Sequence, residues 1–383
     1  MSAVLGVAEP EWLAVLRAAA MERYIAQGLP TAKNEAWRFC NLRGLAVPAT
    51  TGTAKVSLNA ASLPAGVRFQ TLSGVLAQTP DWLETCLAMP ETADGFTALN
   101  LAMFQDGFVL EVPAGVQIKE PLEILQESQD GAVHLRGLVV LGEGAEATLV
   151  ERVTGSGWTN NVTHIALAPG ARLRHAKLQA KQPGAVHVSA TSITLGEEAD
   201  HESVVLALGG GVTREAVSAV LAGERANFSL RGAYLLGGKQ EASFVPEALH
   251  LAPNCTSCQV VKGVLADTAH GIFLGHIGVP EGADGTDANQ GNHNILLSAG
   301  ARVDTRPRLE ILADDVKCRH GATVGDLDET ALFYLQSRGL PPQAARRMLI
   351  EAFAADILDG ADLLQTVRDG LAGAMSAWAE TLA

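Results

Sequence analysis

Phe108-Val-Leu-Glu-Val112, Leu138-Val-Val-Leu141, His164-Ile-Ala-Leu167, Ser192-Ile-Thr-Leu195 and Ala219-Val-Leu221 are five short apolar runs in the middle of the chain. Each ends in an aliphatic residue and passes into a Gly-containing turn: Pro-Ala-Gly, Gly-Glu-Gly, Ala-Pro-Gly, Gly-Glu-Glu and Ala-Gly-Glu. The run ends at Val112, Leu141, Leu167, Leu195 and Leu221 lie 29, 26, 28 and 26 residues apart. A strand-built period in the range of about 20–50 residues marks a stacked repeat. No helix-length amphipathic segment separates the runs, which excludes a sheet wound with crossover helices. The pattern predicts a β-helix or related β-solenoid, in which each coil buries its apolar face on its neighbours and backbone groups pair between coils. A β-sandwich with coincidental spacing is the alternative on pattern alone.

Outside this block the texture changes. Trp12, Val15, Leu16, Ala19 and Arg23 keep helical spacing over Pro10 to Gln27, and Gly28-Leu29-Pro30 stops the helix. A short helical or irregular piece follows at Thr31–Phe39, then a Thr/Ala/Gly-rich stretch from Val47 to about Gly66. Helical pattern returns from Asp81 to Leu101, broken by Pro90 and Gly95. Solenoid texture resumes through Ser298–Val303 and Arg308–Leu312 and then ends. Asp326 or Asp328 can cap a helix, and Asp326 with Glu329 has capping-box spacing. Ala345, Met348, Leu349, Ala352, Phe353 and Ile357 form an amphipathic helix, and a third helix runs from about Asp362 to the end. The expected organisation is an N-terminal helical region and linker over 1–100, a β-helix core over 101–325 and a C-terminal helical domain over 326–383. Helices that cover the ends would protect the open sheet edges of a solenoid. They would also offer a docking face.

Composition narrows the function. The 383 residues carry 28 Lys+Arg against 42 Asp+Glu, a net charge of −14. That balance argues against a nucleic-acid partner and against anionic lipid. Apolar residues make up 48% of the chain, so a large core is expected, but no run reaches the roughly 18–20 residues of a membrane span. The start, MSAVLGVAEPEW, lacks a basic region followed by an apolar stretch, so no signal peptide is expected. Five cysteines in so long a chain are no disulfide framework, and a reducing, cytoplasmic compartment is expected.

Enzyme signatures are weak. Gly232-Ala-Tyr-Leu-Leu-Gly237-Gly238-Lys239 nearly spells a phosphate loop, but an extra Gly precedes Lys239 and Gln240 stands where Ser or Thr would bind metal. Gly142-Glu-Gly144-Ala-Glu-Ala147 mimics a dinucleotide fingerprint, yet strand-like Leu149-Val150 follows it. The sequence holds no Gly-x-Ser-x-Gly elbow and no His-Glu-x-x-His. Cys255-Thr-Ser-Cys258 has metal-knuckle spacing but needs two more ligands, for which Cys318 and His320 are the candidates. Cys40 and Cys86 read as buried small hydrophobes. The densest polar constellation is Asp314-Asp315-Val-Lys-Cys318-Arg-His320-Gly-Ala-Thr-Val-Gly325. In an extended strand Cys318 and His320 share one face, and Lys317 and Arg319 share the other. A thiolate beside an imidazole suits iron, zinc or copper(I). The pair is half a metal site, or a satisfied turn leading into the helices.

The run from Arg306 through Asp328, with Leu332-Phe-Tyr-Leu-Gln-Ser-Arg-Gly-Leu340, resembles the C-terminal signature of the SufB/SufD family of iron–sulfur cluster assembly scaffolds. Lys262-Gly-Val, Gly271-Ile-Phe-Leu-Gly and Thr286–Ser298 are similar to it as well, and Pro30–Phe39 resembles the family's entry motif. The resemblance implies a mainly β fold, a right-handed parallel β-helix flanked by N-terminal and C-terminal α-helical regions. It implies a non-catalytic scaffold in a complex with a SufB-type sister scaffold and a SufC-type ABC ATPase, served indirectly by a cysteine desulfurase. His320 would be a ligand of the nascent cluster at the scaffold interface, with Cys318 beside it. Phe333, Tyr334 and Arg338 on the C-terminal helices would dock the ATPase. The only cofactor implied is a transient iron–sulfur cluster at the shared interface, none being expected on the isolated chain, which a homodimer would suit. The competing readings are a zinc-bearing β-helix interaction protein using Cys255, Cys258, Cys318 and His320, and a β-helix polysaccharide-active enzyme.

Overall fold

In the computed structural model, which describes residues 9–78, 80, 82–88 and 94–381, the chain enters through helix α1 (Glu11–Gln27) and a 3-10 turn at Glu35–Trp37. Strands β1 (Thr53–Asn59) and β2 (Arg68–Thr71) follow, then helices α2 (Leu72–Leu76), α3 (Trp82–Leu87) and α4 (Gly95–Met103). The first half of the solenoid comprises β3 (Asp106–Val112), β4 (Leu122–Gln129), β5 (Ala132–Leu141), β6 (Glu146–Gly155), β7 (Trp158–Leu167), β8 (Arg172–Gln179), β9 (Val186–Leu195) and β10 (Asp200–Ala207). The second half comprises β11 (Val212–Leu221), β12 (Asn227–Leu236), β13 (Glu241–His250), β14 (Thr256–Leu265), β15 (His270–Val279), β16 (Asp287–Leu296), β17 (Arg302–Ile311) and β18 (Lys317–Gly325). Helices α5 (Glu329–Ser337), α6 (Pro342–Ala355) and α7 (Gln365–Glu380) end the chain.

Odd-numbered strands β3 to β17 build one parallel sheet and even-numbered strands β4 to β18 the other, so each coil gives one strand to each sheet. The result is a parallel β-solenoid of about 8 turns, and the sandwich alternative falls. The five run ends of the sequence stack in register, Val112 on Leu141, Leu167, Leu195 and Leu221. All five are buried in one continuous core. Their turns stack too. Gly115, Gly144, Gly170 and Glu198, each three residues past its run end, take left-handed backbone with φ of 72°, 61°, 68° and 54°. There each N–H donates to a carbonyl in the turn of the next coil: Gly115 to Glu143, Gly144 to Pro169, Gly170 to Glu197 and Glu198 to Glu224. Glycine at this position removes the Cβ penalty of the left-handed conformation.

The two ends of the solenoid differ. At the N-terminal end the outermost strands are antiparallel, β1 on β4 and β2 on β3. These strands lie in and beside the Thr/Ala/Gly-rich stretch, where Ala54, Val56 and Leu58 alternate with polar residues and Val56 and Leu58 pack against the core, a strand signal masked by the Thr, Ala and Gly around it. At the C-terminal end β17 and β18 have no outer neighbour among the described residues. Helices α5–α7 do not cover that end. Instead α6 and α7 lie along the outer face of the even-numbered sheet, burying Ile350, Ala354, Val367, Leu371 and Met375 against Val150, Leu178, Leu206, Leu235 and Val264. The physical reason is that these strands are apolar on both faces, so the sheet's flank needs cover along its length. Asp328 rather than Asp326 caps α5, accepting from the N–H groups of Thr330 and Ala331 at 2.8 and 3.2 Å. The expected break at Pro90 lies outside the described residues.

The N-terminal segment crosses the outer face of the odd-numbered sheet. Trp37 stacks on Phe96 at 4.9 Å, and the Arg214 guanidinium lies 3.7 Å from the Trp37 ring centroid. Asn41 donates its N–H to Glu241 at 2.6 Å, and Arg306 pairs with Glu35 at 2.7 Å. No described helix is long and apolar enough to cross a membrane.

Candidate functional site

β18 is an edge strand of the even-numbered sheet and, among the described residues, pairs with β16 alone. Register places Cys318 beside Ala288 and His320 beside Gln290, and both neighbours face the buried interior. Alternation then puts Cys318, His320, Ala322 and Val324 on the interior side of the last coil, where nothing described stacks above them. Cys318 is half-buried against Ile277, Val279, Ala283 and Ala288, whereas His320 is exposed. Burial pushes the Cys318 thiol up, opposed by a backbone hydrogen bond from Ala288. Lys317 and Arg319 occupy the outer side, Arg319 3.6 Å from Asp287. The expected two-face arrangement of this motif is thus present, on an open solenoid end that also exposes Ile311, Leu312 and Val324.

One coil below lies a cluster of buried amides. Gln290 donates to Gln259 at 2.7 Å, Asn294 to the Asn292 side chain at 2.8 Å, and Asn292 to the Val261 carbonyl at 3.0 Å. The Tyr234 hydroxyl donates to Asn294 in the same group. These residues form the interior layer one coil below β18.

The zinc arrangement is not assembled. Cys255 is buried in the main core, while Cys258 sits on the outer side of β14, in register with Asn289 and, one strand on, with Arg319. Cys318 is on the opposite side of the sheet. Among the described residues no three His, Cys, Asp or Glu side chains group to hold a metal ion. The phosphate-loop resemblance also falls, because Gly232 is inside β12, where a Cβ would lie 2.7 Å from the Phe244 ring. Gly142–Gly144 is one of the stacked turns. Cys86 packs in the N-terminal helical core, and Cys40 is half-buried with its thiol 3.6 Å from the Arg214 guanidinium and 3.7 Å from Ser243.

On the C-terminal helices, α5 has no buried residue. Phe333 is 72% exposed and Tyr334 56% exposed, and Arg338 lies 5.1 Å from the Tyr334 ring centroid. Tyr334 and Arg338 therefore form an exposed aromatic–cationic pair, and Phe333 is exposed beside them on the same helix.

Two polar features escape sequence reading. A groove of about 500 Å³ runs across the outer face of the odd-numbered sheet. One wall is a register column of His164, Ser192, Ser218, Glu247, His276 and Arg308. Its Ser–His contact is not an activated nucleophile. Arg136 can only donate, and it donates to His164 Nε2 at 2.9 Å, so the ring proton sits on Nδ1 and is given to Ser192 Oγ at 2.6 Å. Burial and the Arg136 charge push His164 down to about 3, which keeps it neutral. The second feature is an ion network inside the solenoid. Lys177 reaches Glu215 at 2.7 Å and Ser189 at 2.6 Å, His187 reaches Glu215 at 3.2 Å, and His175 reaches Glu151 at 2.8 Å. The groove column recurs at the coil period, so spacing could have found it. The network could not be found that way, because its partners sit on different strands at no fixed interval.

Comparison with known proteins agrees with this architecture. Residues 124–353 match the family model described as SUF system FeS cluster assembly, SufBD core domain. Residues 52–124 match the SufBD protein N-terminal region. The iron–sulfur cluster assembly protein SufD of Escherichia coli (strain K12) is 31% identical over 375 residues, spanning 88% of this chain and 87% of that protein. A SufBD family protein of Synechocystis sp. is 28% identical over 380 residues, 86% of this chain and 83% of its own length. The iron–sulfur cluster assembly protein SufB of Bacillus subtilis (strain 168) is 27% identical over 297 residues, 75% of this chain and 64% of its own length. The chain belongs to the SufBD family of SUF-system iron–sulfur cluster assembly proteins.

Proposed function

We propose that this chain is the SufD-type subunit of a SUF assembly complex, a non-catalytic scaffold whose His320 supplies one ligand to a nascent iron–sulfur cluster. The observation that carries the reading is the open end of the solenoid, with His320 on its edge strand and facing the exposed interior. A half-built site on an unpaired edge suits completion by a second chain, because unpaired strand edges recruit strands. The SufB-type sister scaffold is the natural partner, since it shares the family and would present a matching solenoid end. A second copy of this chain fills the same role when the sister is absent. Likeness to SufD over nearly the whole of both chains, against 64% of SufB, favours the SufD side of the pair.

In this arrangement the cluster is cargo rather than a resident cofactor. Sulfur originates at a cysteine desulfurase and reaches the interface through the sister. His320 binds iron as the neutral imidazole, through the lone pair of one ring nitrogen. Cys318 sits two residues away on the same side and is a second donor within the interface. The exposed residues Phe333, Tyr334 and Arg338 dock the SufC-type ATPase, whose nucleotide cycle acts on the pairing of the scaffolds.

The pairing is tested by Val324→Asp, which puts a carboxylate on the exposed interior side of β18. Wild type is expected to co-purify with the sister scaffold and the ATPase in one complex, and the variant to lose the sister. A variant that still assembles fully places the scaffold interface elsewhere.

A further inference from the structure

Interior side chains of the even-numbered sheet stack in register columns, and one column runs Leu149, His175, Ser203, Leu230, Gln259, Gln290, His320. Its last three members are polar. Gln290 and Gln259 are wholly buried, and their one mutual hydrogen bond uses Gln290 Nε2 and Gln259 Oε1. Gln290 Oε1 is left without a partner. A buried acceptor without a donor is costly and calls for an explanation. The Asn292 and Asn294 donors already serve Val261, Tyr234, Asn292 and Thr323, and the Gln259 amide, whose Nε2 is itself without a partner, turns its Oε1 to Gln290.

The amide of Gln290 also has little freedom. It lies over Gly275 of β15, where a Cβ would fall 2.4 Å from its Nε2, 2.5 Å from its Cδ and 2.7 Å from its Oε1. The next rung of the column is His320. Adjacent strands lie about 4.7–4.9 Å apart, the span that Gln290 already bridges to Gln259.

We propose that Gln290 is a positioning residue for His320: its Oε1 accepts one imidazole N–H and thereby fixes the tautomer. The other ring nitrogen then carries the lone pair offered to iron. Metal-binding histidines are commonly oriented this way, by an acceptor on the nitrogen that does not bind. The hydrogen bond stands on the register and the unmatched acceptor. Its consequence for iron rests on the proposed ligand role of His320.

The test reads the tautomer directly, by long-range nitrogen-15 spectra of the imidazole rings at a pH where His320 is neutral. His320→Ala identifies the signal. Wild type is expected to show one tautomer, Gln290→Glu to keep it because an acceptor oxygen remains, and Gln290→Leu to relax to the mixture of a free imidazole. Gly275→Ala pushes the amide aside without altering β16 and is expected to relax the tautomer as well, so the test survives a Gln290→Leu chain that fails to fold. A mixed tautomer in wild type, or one that persists in both Gln290→Leu and Gly275→Ala, overturns the proposal. Iron content of the complex with sister and ATPase separates the two readings. A loss of about 10-fold in iron affinity is expected for Gln290→Leu. Full loading of His320→Ala with a Gln290-dependent tautomer would refute the ligand role and leave the hydrogen bond standing.

Discussion

Glu215 holds a charge in the middle of the solenoid core. Burial pushes its carboxyl up, but the Lys177 charge and the His187 imidazole beside it outweigh burial and hold it at about 2. Removing one member of such a pair leaves the other buried and uncompensated. Glu215→Gln should therefore cost about 3–5 kcal/mol of stability, whereas Lys177→Met with Glu215→Leu should recover most of it. Urea unfolding of the single and double variants checks this, and equal losses in both contradict it. Buried histidines set the acid limit. Burial holds His134, His187 and His250 at about 4, and burial with Arg136 holds His164 at about 3, all below the ordinary 6.5. Between about pH 6.5 and 4 the unfolded chain binds the extra protons, so stability falls as pH falls. Each such histidine contributes a slope of about 1.4 kcal/mol per pH unit. Glu215 has the depressed pKa of a stabilised carboxylate, and its contribution is lost only below about 4.5, down to about 2. The thermal midpoint should thus be level above pH 7 and drop steeply from pH 6.5 to 5. A level profile across that range contradicts the neutral buried histidines.

At the scale of elements, the same solenoid strands serve two cores. Interior residues such as Leu149 and Leu173 fill the lumen, while outward Leu178, Leu206 and Leu235 pack under α6 and α7. The signal was legible in Val204-Val-Leu-Ala207 and Ala233-Tyr-Leu-Leu236, whose unbroken apolar runs mean burial on both faces. The solenoid was read from the other set of strands and these runs were passed over, so the C-terminal helices were expected at the end rather than on the flank. α5 behaves differently from α6 and α7, because it buries nothing. Leu206→Ala should destabilise the chain by about 2–4 kcal/mol through the cavity it leaves. Phe333→Ala should change stability by less than about 0.5 kcal/mol but weaken ATPase binding roughly 10-fold or more, as an exposed aromatic anchor does. Calorimetric titration with the ATPase, beside a melting curve, distinguishes the two. Unchanged ATPase affinity for Phe333→Ala would remove α5 from the docking surface.

Across the whole molecule, the repeat carried the fold. A period near 27 residues ended each coil at Val112, Leu141, Leu167, Leu195 and Leu221, and the structure stacks those residues in one ladder. The two-sided arrangement of the Cys318–His320 motif was legible too, since alternation alone put Cys318 and His320 on one side of a strand. Spacing could not show that β18 ends its sheet, because that depends on where α5–α7 go. Nor could it show that Gln290 lies beneath His320, which needs the register of β16 on β18. The two ends differ in strand direction: antiparallel β1 and β2 edge one end, and parallel β17 and β18 edge the other, with His320 between core and solvent. A shared cluster site at that end is the central claim. Its most direct test is anaerobic iron and acid-labile sulfide content of the chain co-purified with its sister scaffold and ATPase, for wild type and His320→Ala. The account predicts cluster in wild type and a marked loss in the variant, with the complex intact in both. Equal loading of the two would contradict it and reduce the open end to an architectural joint.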